Sequence, residues 1–190
     1  MRILTITLLL CCLVNLQACV GVATLAIVTG ANMAADNRTL GKQIDDQGIE
    51  LKAKSLITTD EALDKQTNLH FVSINGALLI IGQAPNTYLR DKVIKKVSDI
   101  SGVTQLHDQI RITNNITIAT ATNDIWLTSK VKTALLSKEE LNGSNIKVIT
   151  ENAEVFLMGL VKASTAKQAI EIARNISGVN RVINAFEYQD

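Results

Sequence analysis

The segment Ile146 to Tyr188 repeats a segment the chain already contains. The later copy reads Asn152-Ala-Glu-Val-Phe-Leu-Met-Gly159, then Ile176-Ser-Gly-Val179, with Val182, Asn184 and Phe186 following. The earlier copy reads Asn75-Gly-Ala-Leu-Leu-Ile-Ile-Gly82, then Ile100-Ser-Gly-Val103, with Leu106, Asp108 and Ile110 at the matching places. Asn75 and Gly82 map onto Asn152 and Gly159 at one constant offset. Gly102 maps onto Gly178 at an offset shorter by one, so copy one carries an extra residue near Pro85. One supersecondary design is therefore used twice. Each use spans roughly 60–70 residues, near the lower size limit for a self-supporting core, so the copies are expected to dock on each other.

Periodicity gives the order of elements. Ile49, Ala53, Leu56 and Ile57 form one helical face in a unit beginning near Asp45. Branched runs from Leu69 to Ile74 and from Ala77 to Ile81 flank Asn75-Gly76, the strongest short-range hairpin signal. Leu89, Val93, Val97 and Ile100 make a second helical face, with Gly102 suited to a left-handed C′ position. Leu106 to Ile112 is the closing strand, which gives αββαβ. Residues 113–122 are uncharged and polar-branched and read as a linker. Copy two repeats the scheme. Its first helix turns Leu127, Val131, Ala134 and Leu135 inward, and Ile146 to Thr150 and Glu154 to Met158 form its hairpin. Its second helix is capped by Ser164 and turns Thr165, Ala169, Ala173 and Ile176 inward, and Val182 to Tyr188 is its last strand. The expected class is α+β, with two tandem units, each a small three-stranded mixed sheet packed on two helices.

The N-terminus follows other rules. Arg2 precedes an apolar stretch, Ile3 to Val14, too short to span a bilayer. Leu16-Gln-Ala-Cys19 then resembles the bacterial lipobox, so residues 1–18 read as a lipoprotein signal peptide and Cys19 as the acylated residue. Cleavage there removes Cys11 and Cys12, and lipidation accounts for the one cysteine left. Residues 19–44 become a membrane-proximal tether, and Val20 after the cysteine implies outer-membrane sorting on the periplasmic side. Losing Arg2 leaves 18 basic residues against 18 acidic ones, which argues against nucleic acid as a partner.

A search for chemistry finds no catalytic constellation. His70 and His107 fall in separate predicted strands without metal spacing, and no cofactor motif is present. Asp45-Asp46 and Glu139-Glu140 read as solvated acids. The difference between copies is more telling: Trp126, the one Trp of the chain, stands where copy one has Gly48. At about 100° per residue from Leu127, Trp126 lies near −100° and Ile125 near 160°, both off the core face. Lys130 is one turn along on the Trp126 side, followed by Thr133, and Lys132 shares the Ile125 side. An indole at a helix start beside ammonium groups suits an anionic bilayer interface, and packing against copy one or the linker suits it equally.

The strand ending in Gly82 or Gly159, the helix, and Gly-Val-x-x-[Leu/Val]-x-[Asp/Asn]-x-[Ile/Phe] resemble the BON domain. The whole chain resembles dual-BON outer-membrane lipoproteins, including the lipobox, Gly41-Lys-Gln-Ile-Asp-Asp46 and Asn123-Asp-Ile-Trp126. Ala153 departs from the pattern, which has Gly at that turn. The resemblance implies BON domains at 45–112 and 123–190, and a non-enzymatic lipoprotein supporting outer-membrane integrity. It also implies binding of phosphatidylglycerol and cardiolipin through the first helix of the second domain, with Ile125, Trp126, Lys130, Lys132 and Thr133 as site residues. The other reading is an adaptor for an outer-membrane assembly protein.

Overall fold

A computed structural model describes residues 39–114 and 116–189. The signal segment, Cys19 and the tether as far as residue 38 lie outside the described residues. Copy one runs α1 (Leu40–Thr58), α2 (Glu61–Gln66), β1 (Asn68–Ile74), β2 (Ala77–Ala84), α3 (Thr87–Ser98) and β3 (Gln105–Ile112). Copy two runs α4 (Ile118–Leu136), two short 3-10 turns, β4 (Lys147–Glu151), β5 (Glu154–Val161), α5 (Ala163–Arg174) and β6 (Arg181–Tyr188). Each sheet has its second strand in the centre, antiparallel to the first and parallel to the third. This is the α+β class expected from the pattern, with a mixed sheet in each copy.

Three apolar clusters explain the layering. Leu78, Ile80 and Ile110 face Ile49, Ala53, Val93 and Val97 of the helices. Val155, Leu157 and Phe186 face Val131, Leu135, Ala169 and Ala173 in the same way. The opposite sheet faces meet each other through Val72, Ile74, Leu79 and Ile81 against Phe156, Met158 and Ala185. The layers are therefore helices, sheet, sheet, helices. A central strand covered on both faces must be apolar throughout, which is why Ala77 to Ile81 does not alternate. The docking between copies expected from their small size is present.

Both hairpins turn through two residues of positive φ, Asn75 (54°) with Gly76 (85°) and Asn152 (50°) with Ala153 (59°). This is the primed-turn geometry that matches strand twist. Each turn is held by a buried carboxylate reaching up from the first helix. Asp46 accepts from the Asn75 N–H at 2.8 Å, the Gly76 N–H at 2.9 Å and the Ser73 hydroxyl at 2.7 Å. Asp124 accepts from the Asn152 and Ala153 N–H groups at 2.8 Å each. Asp46 is thus no solvated acid, because a buried charge persists only where donors converge on it.

Several boundaries move. Helix α1 begins at Leu40, not near Asp45, with the Thr39 hydroxyl accepting from the Lys42 N–H. Helix α4 begins at Ile118, inside the stretch read as linker, capped by Thr117 onto the Thr120 N–H. Lack of charge suggests a connector, yet the threonine cap decides where the backbone starts to coil. Helix α5 starts at Ala163 after Lys162, so Ser164 is inside the helix rather than its cap. Gly102 is left-handed, at φ 97°, but lies in the turn beyond the C-cap Asp99 of α3.

Cross-copy contacts show an approximate two-fold relation. The Asn75 amide donates to Glu187 at 2.8 Å, and Arg111, the counterpart of Glu187, pairs with Glu154 beside the Asn152 turn at 2.5 Å. His70, near the start of β1, lies 4.0 Å from Glu151 at the end of β4. Glu50 takes the Ser73 N–H near the end of β1 and lies 3.8 Å from Lys147 at the start of β4. Strands β1 and β4 therefore pass in opposite directions along one margin, with α1 packed on β1 and α4 on β4.

Candidate functional site: the outward side of the second domain's first helix

Helix α4 buries Asp124, Leu127, Val131 and Leu135, which sets everything else on it toward solvent or the margin. Ile125 is 70% exposed and Trp126 55%. The indole is not sealed between the copies. The Lys130 ammonium stands 4.0 Å from the centroid of the Trp126 ring and donates to the Ser177 carbonyl at 3.3 Å. That second bond holds the lysine in place, so a positive charge is fixed against the ring face. Thr133 is exposed on the Trp126 side. Ile125 and Lys132 turn the other way, into an open groove of about 660 Å³ between α4 and the margin, with Asn68 and His70 across from them. The five residues singled out from sequence thus occupy the outward side of one helix, with the indole and Lys130 on one flank and Lys132 on the other.

The N-terminal placement of Trp126 does not hold. With α4 starting at Ile118, the indole lies two turns inside the helix, about 12 Å from its free N–H groups. The field of a helix end fades within its first turn, so it adds nothing at the ring. Sequence reading also passes over Ile118, two turns before Ile125 on the same side and 88% exposed, and Leu136, exposed at the far end. Continuing the outward period back from Ile125 finds Ile118, once the linker reading no longer stops it. Among the described residues, no group of three or more His, Cys, Asp or Glu is placed to hold a metal. His70 is exposed and His107 is half-buried. Among the same residues no helix is long and apolar enough to cross a membrane.

The BON domain family matches twice, at residues 45–114 and 123–190. The chain belongs to that family. The outer membrane lipoprotein DolP of Haemophilus influenzae is 36% identical over 175 residues, covering 92% of this chain and 91% of the relative. The 21 kDa hemolysin of Actinobacillus pleuropneumoniae is 35% identical, covering 80% and 79% respectively. The osmotically-inducible protein Y of Escherichia coli is 22% identical, covering 82% and 78%. Two BON domains in this order, with a likeness that runs almost end to end, make this a DolP-like outer-membrane lipoprotein, lipid-anchored at that membrane. In BON terms, the outward side of α4 is the first helix of the second domain.

Proposed function

We propose that this lipoprotein reads anionic phospholipid at the inner leaflet of the outer membrane through α4, and that this contact supports envelope integrity. The observation that carries the reading is the half-exposed Trp126 with Lys130 fixed over its ring, on a helix side that the core does not use. Indole rings favour the head-group layer, where the ring is half buried and its N–H stays wet. Each lysine that reaches an anionic surface adds about 1 kcal/mol, so Lys130 and Lys132 select phosphatidylglycerol or cardiolipin over neutral lipid. Ile125 and Ile118 supply the apolar contact beside them. These terms alone give weak binding, and the acyl anchor at Cys19 raises it by keeping the helix at high local concentration over the surface.

Trp126 is the chain's single indole, so its emission reports on this site alone. Vesicles containing phosphatidylglycerol should shift that emission to the blue, and phosphatidylcholine vesicles should not. In a soluble chain of residues 39–190, Trp126→Ala should lose sedimentation with phosphatidylglycerol vesicles while circular dichroism stays native. Unchanged sedimentation would overturn the site. A crosslink from position 126 to a protein, with no lipid effect, would favour the adaptor instead.

A further inference from the structure

Copy one has an open cleft where copy two has its indole. The cleft measures about 400 Å³, at the lower end of the range for ligand pockets. Gly48 and Lys52 of α1 line it together with Ser101 and Gly102 of the turn that joins α3 to β3. In copy two the corresponding residues are Trp126, Lys130, Ser177 and Gly178. There the Lys130 ammonium stands 4.0 Å from the ring centroid and reaches the Ser177 carbonyl at 3.3 Å, which brings the indole alongside the turn after α5. Copy one keeps the lysine and the serine turn, and has no ring between them.

The glycine that opens the cleft is not one the backbone needs. Gly76 and Gly102, which also line it, have positive φ of 85° and 97°, as their turns require. Gly48 lies inside α1, where glycine weakens a helix relative to residues with a side chain. Beyond its chain neighbours and the backbone of its own helix, no heavy atom of the described residues lies within 4 Å of a Cβ built there. Gly48 therefore permits no close approach within the chain. It keeps space open beside Lys52.

The lining suits the face and the edge of an aromatic ring. Lys52 is placed to stand over a ring face as Lys130 does. Asp45, in the place of Asn123, offers an acceptor at the rim for a ring N–H or O–H. Even in copy two the ring in this place is 55% exposed, so a free aromatic molecule would leave much of itself in water. A polypeptide that carries the ring adds contacts around it, and exposed Ile44 lines the cleft where copy two has Thr122.

We propose that this cleft on copy one binds a partner protein by taking up a tryptophan or tyrosine side chain beside Gly48 and under Lys52. Copy two supplies its own aromatic to the corresponding place, and copy one receives one from outside. The site uses no residue of α4 and is independent of the lipid reading given above.

The test is NMR of the isotopically labelled, mature acylated protein in detergent micelles. The probe is a short uncharged peptide with a central tryptophan, beside the same peptide with a central leucine. The tryptophan peptide should shift the Gly48 and Gly102 amides saturably and leave the Gly178 amide in place, and the leucine peptide should shift none of them. Gly48→Trp, whose own ring fills the cleft, should lose the Gly102 shift while the rest of the spectrum stays native. Lys52→Met should weaken binding about three-fold. The absence of a saturable shift at Gly102, or one that persists in Gly48→Trp, would overturn the site. An equal response to the leucine peptide, or an affinity that Lys52→Met leaves unchanged, would overturn the aromatic assignment. Shifts at Gly48 and Gly102 that grow with protein concentration before any peptide is added, and vanish in Trp126→Ala, would overturn the partner protein in favour of a second copy of this chain.

Discussion

The first helices of the two copies, α1 and α4, have the same inner face and a partly different outer one. Inside, Asp46 matches Asp124, Ile49 matches Leu127, Ala53 matches Val131 and Ile57 matches Leu135, all buried. These are the positions the fold dictates, one acid to hold a turn and a ridge to cover a sheet. Outside, the lysine pair is kept, Leu40 is matched by Ile118, the other exposed apolar side chains stand at different positions, and Gly48 is exchanged for Trp126. An outer face under no constraint would be expected to drift toward mixed charge. On α1 that face is mixed, with Asp45 and Glu50 beside Lys52 and Lys54, whereas α4 has the uncharged Asn123 and Thr128 at the matching places. The missing acids and the added indole both set α4 apart from α1.

The inner equivalence can be broken most forcefully at the carboxylates. Asp46→Ala strands the Asn75 and Gly76 N–H groups and the Ser73 hydroxyl, and should cost about 3–5 kcal/mol. Asp124→Ala strands the Asn152 and Ala153 N–H groups and should cost about 2–4 kcal/mol. Urea denaturation followed by circular dichroism measures both. Because the sheets share a face, each variant should shift one cooperative transition. Two separate transitions would mean that the Val72–Phe156 face does not couple the copies.

The turns offer a smaller contrast of opposite sign. A Cβ on Gly76 would fall 2.7 Å from the Gly102 carbonyl oxygen, at a φ of 85°. Gly76→Ala should therefore lose about 2 kcal/mol, more than the backbone cost of a left-handed alanine alone. At the matching place copy two already carries Ala153 at φ 59°, so Ala153→Gly should gain about 1 kcal/mol. Denaturation midpoints decide between them. Equal effects of one sign would show that the two turns are not held alike.

What was legible in the sequence was whatever repeats with a period. The two helical faces, the Asn75-Gly76 turn and the mixed sheets follow from apolar spacing, and the structure has them. Asp46 and Asp124 were not legible as turn clamps, because a carboxylate so far along the chain from its donors leaves no local pattern. The start of α4 was missed because Ile118 to Thr122 resembles a connector in composition, and its threonine cap is the weaker cue. That error carried the indole to a helix end where it does not lie. The outward placement of Ile125, Trp126, Lys130, Lys132 and Thr133 was readable, since angle around a helix depends on spacing and not on where the helix begins.

The smallest effect on stability, and the sharpest on the comparison of the two helices, is expected from Gly48→Trp. Beyond its chain neighbours and the backbone of its own helix, no heavy atom of the described residues lies within 4 Å of a Cβ built at Gly48, so the larger side chain enters open space. Replacing glycine inside a helix gains a few tenths of a kcal/mol in propensity, and a ring stacked near Lys52 adds about 0.5 kcal/mol more. In a Trp126→Ala background the new indole is the chain's single fluorophore, so its emission reports on α1 alone. If lipid contact belongs to α4, phosphatidylglycerol vesicles should leave that emission water-like while they shift Trp126 of the parent chain to the blue. An indole at position 48 that shifts as Trp126 does would place the difference between the copies in which residue each carries rather than in where the helices sit.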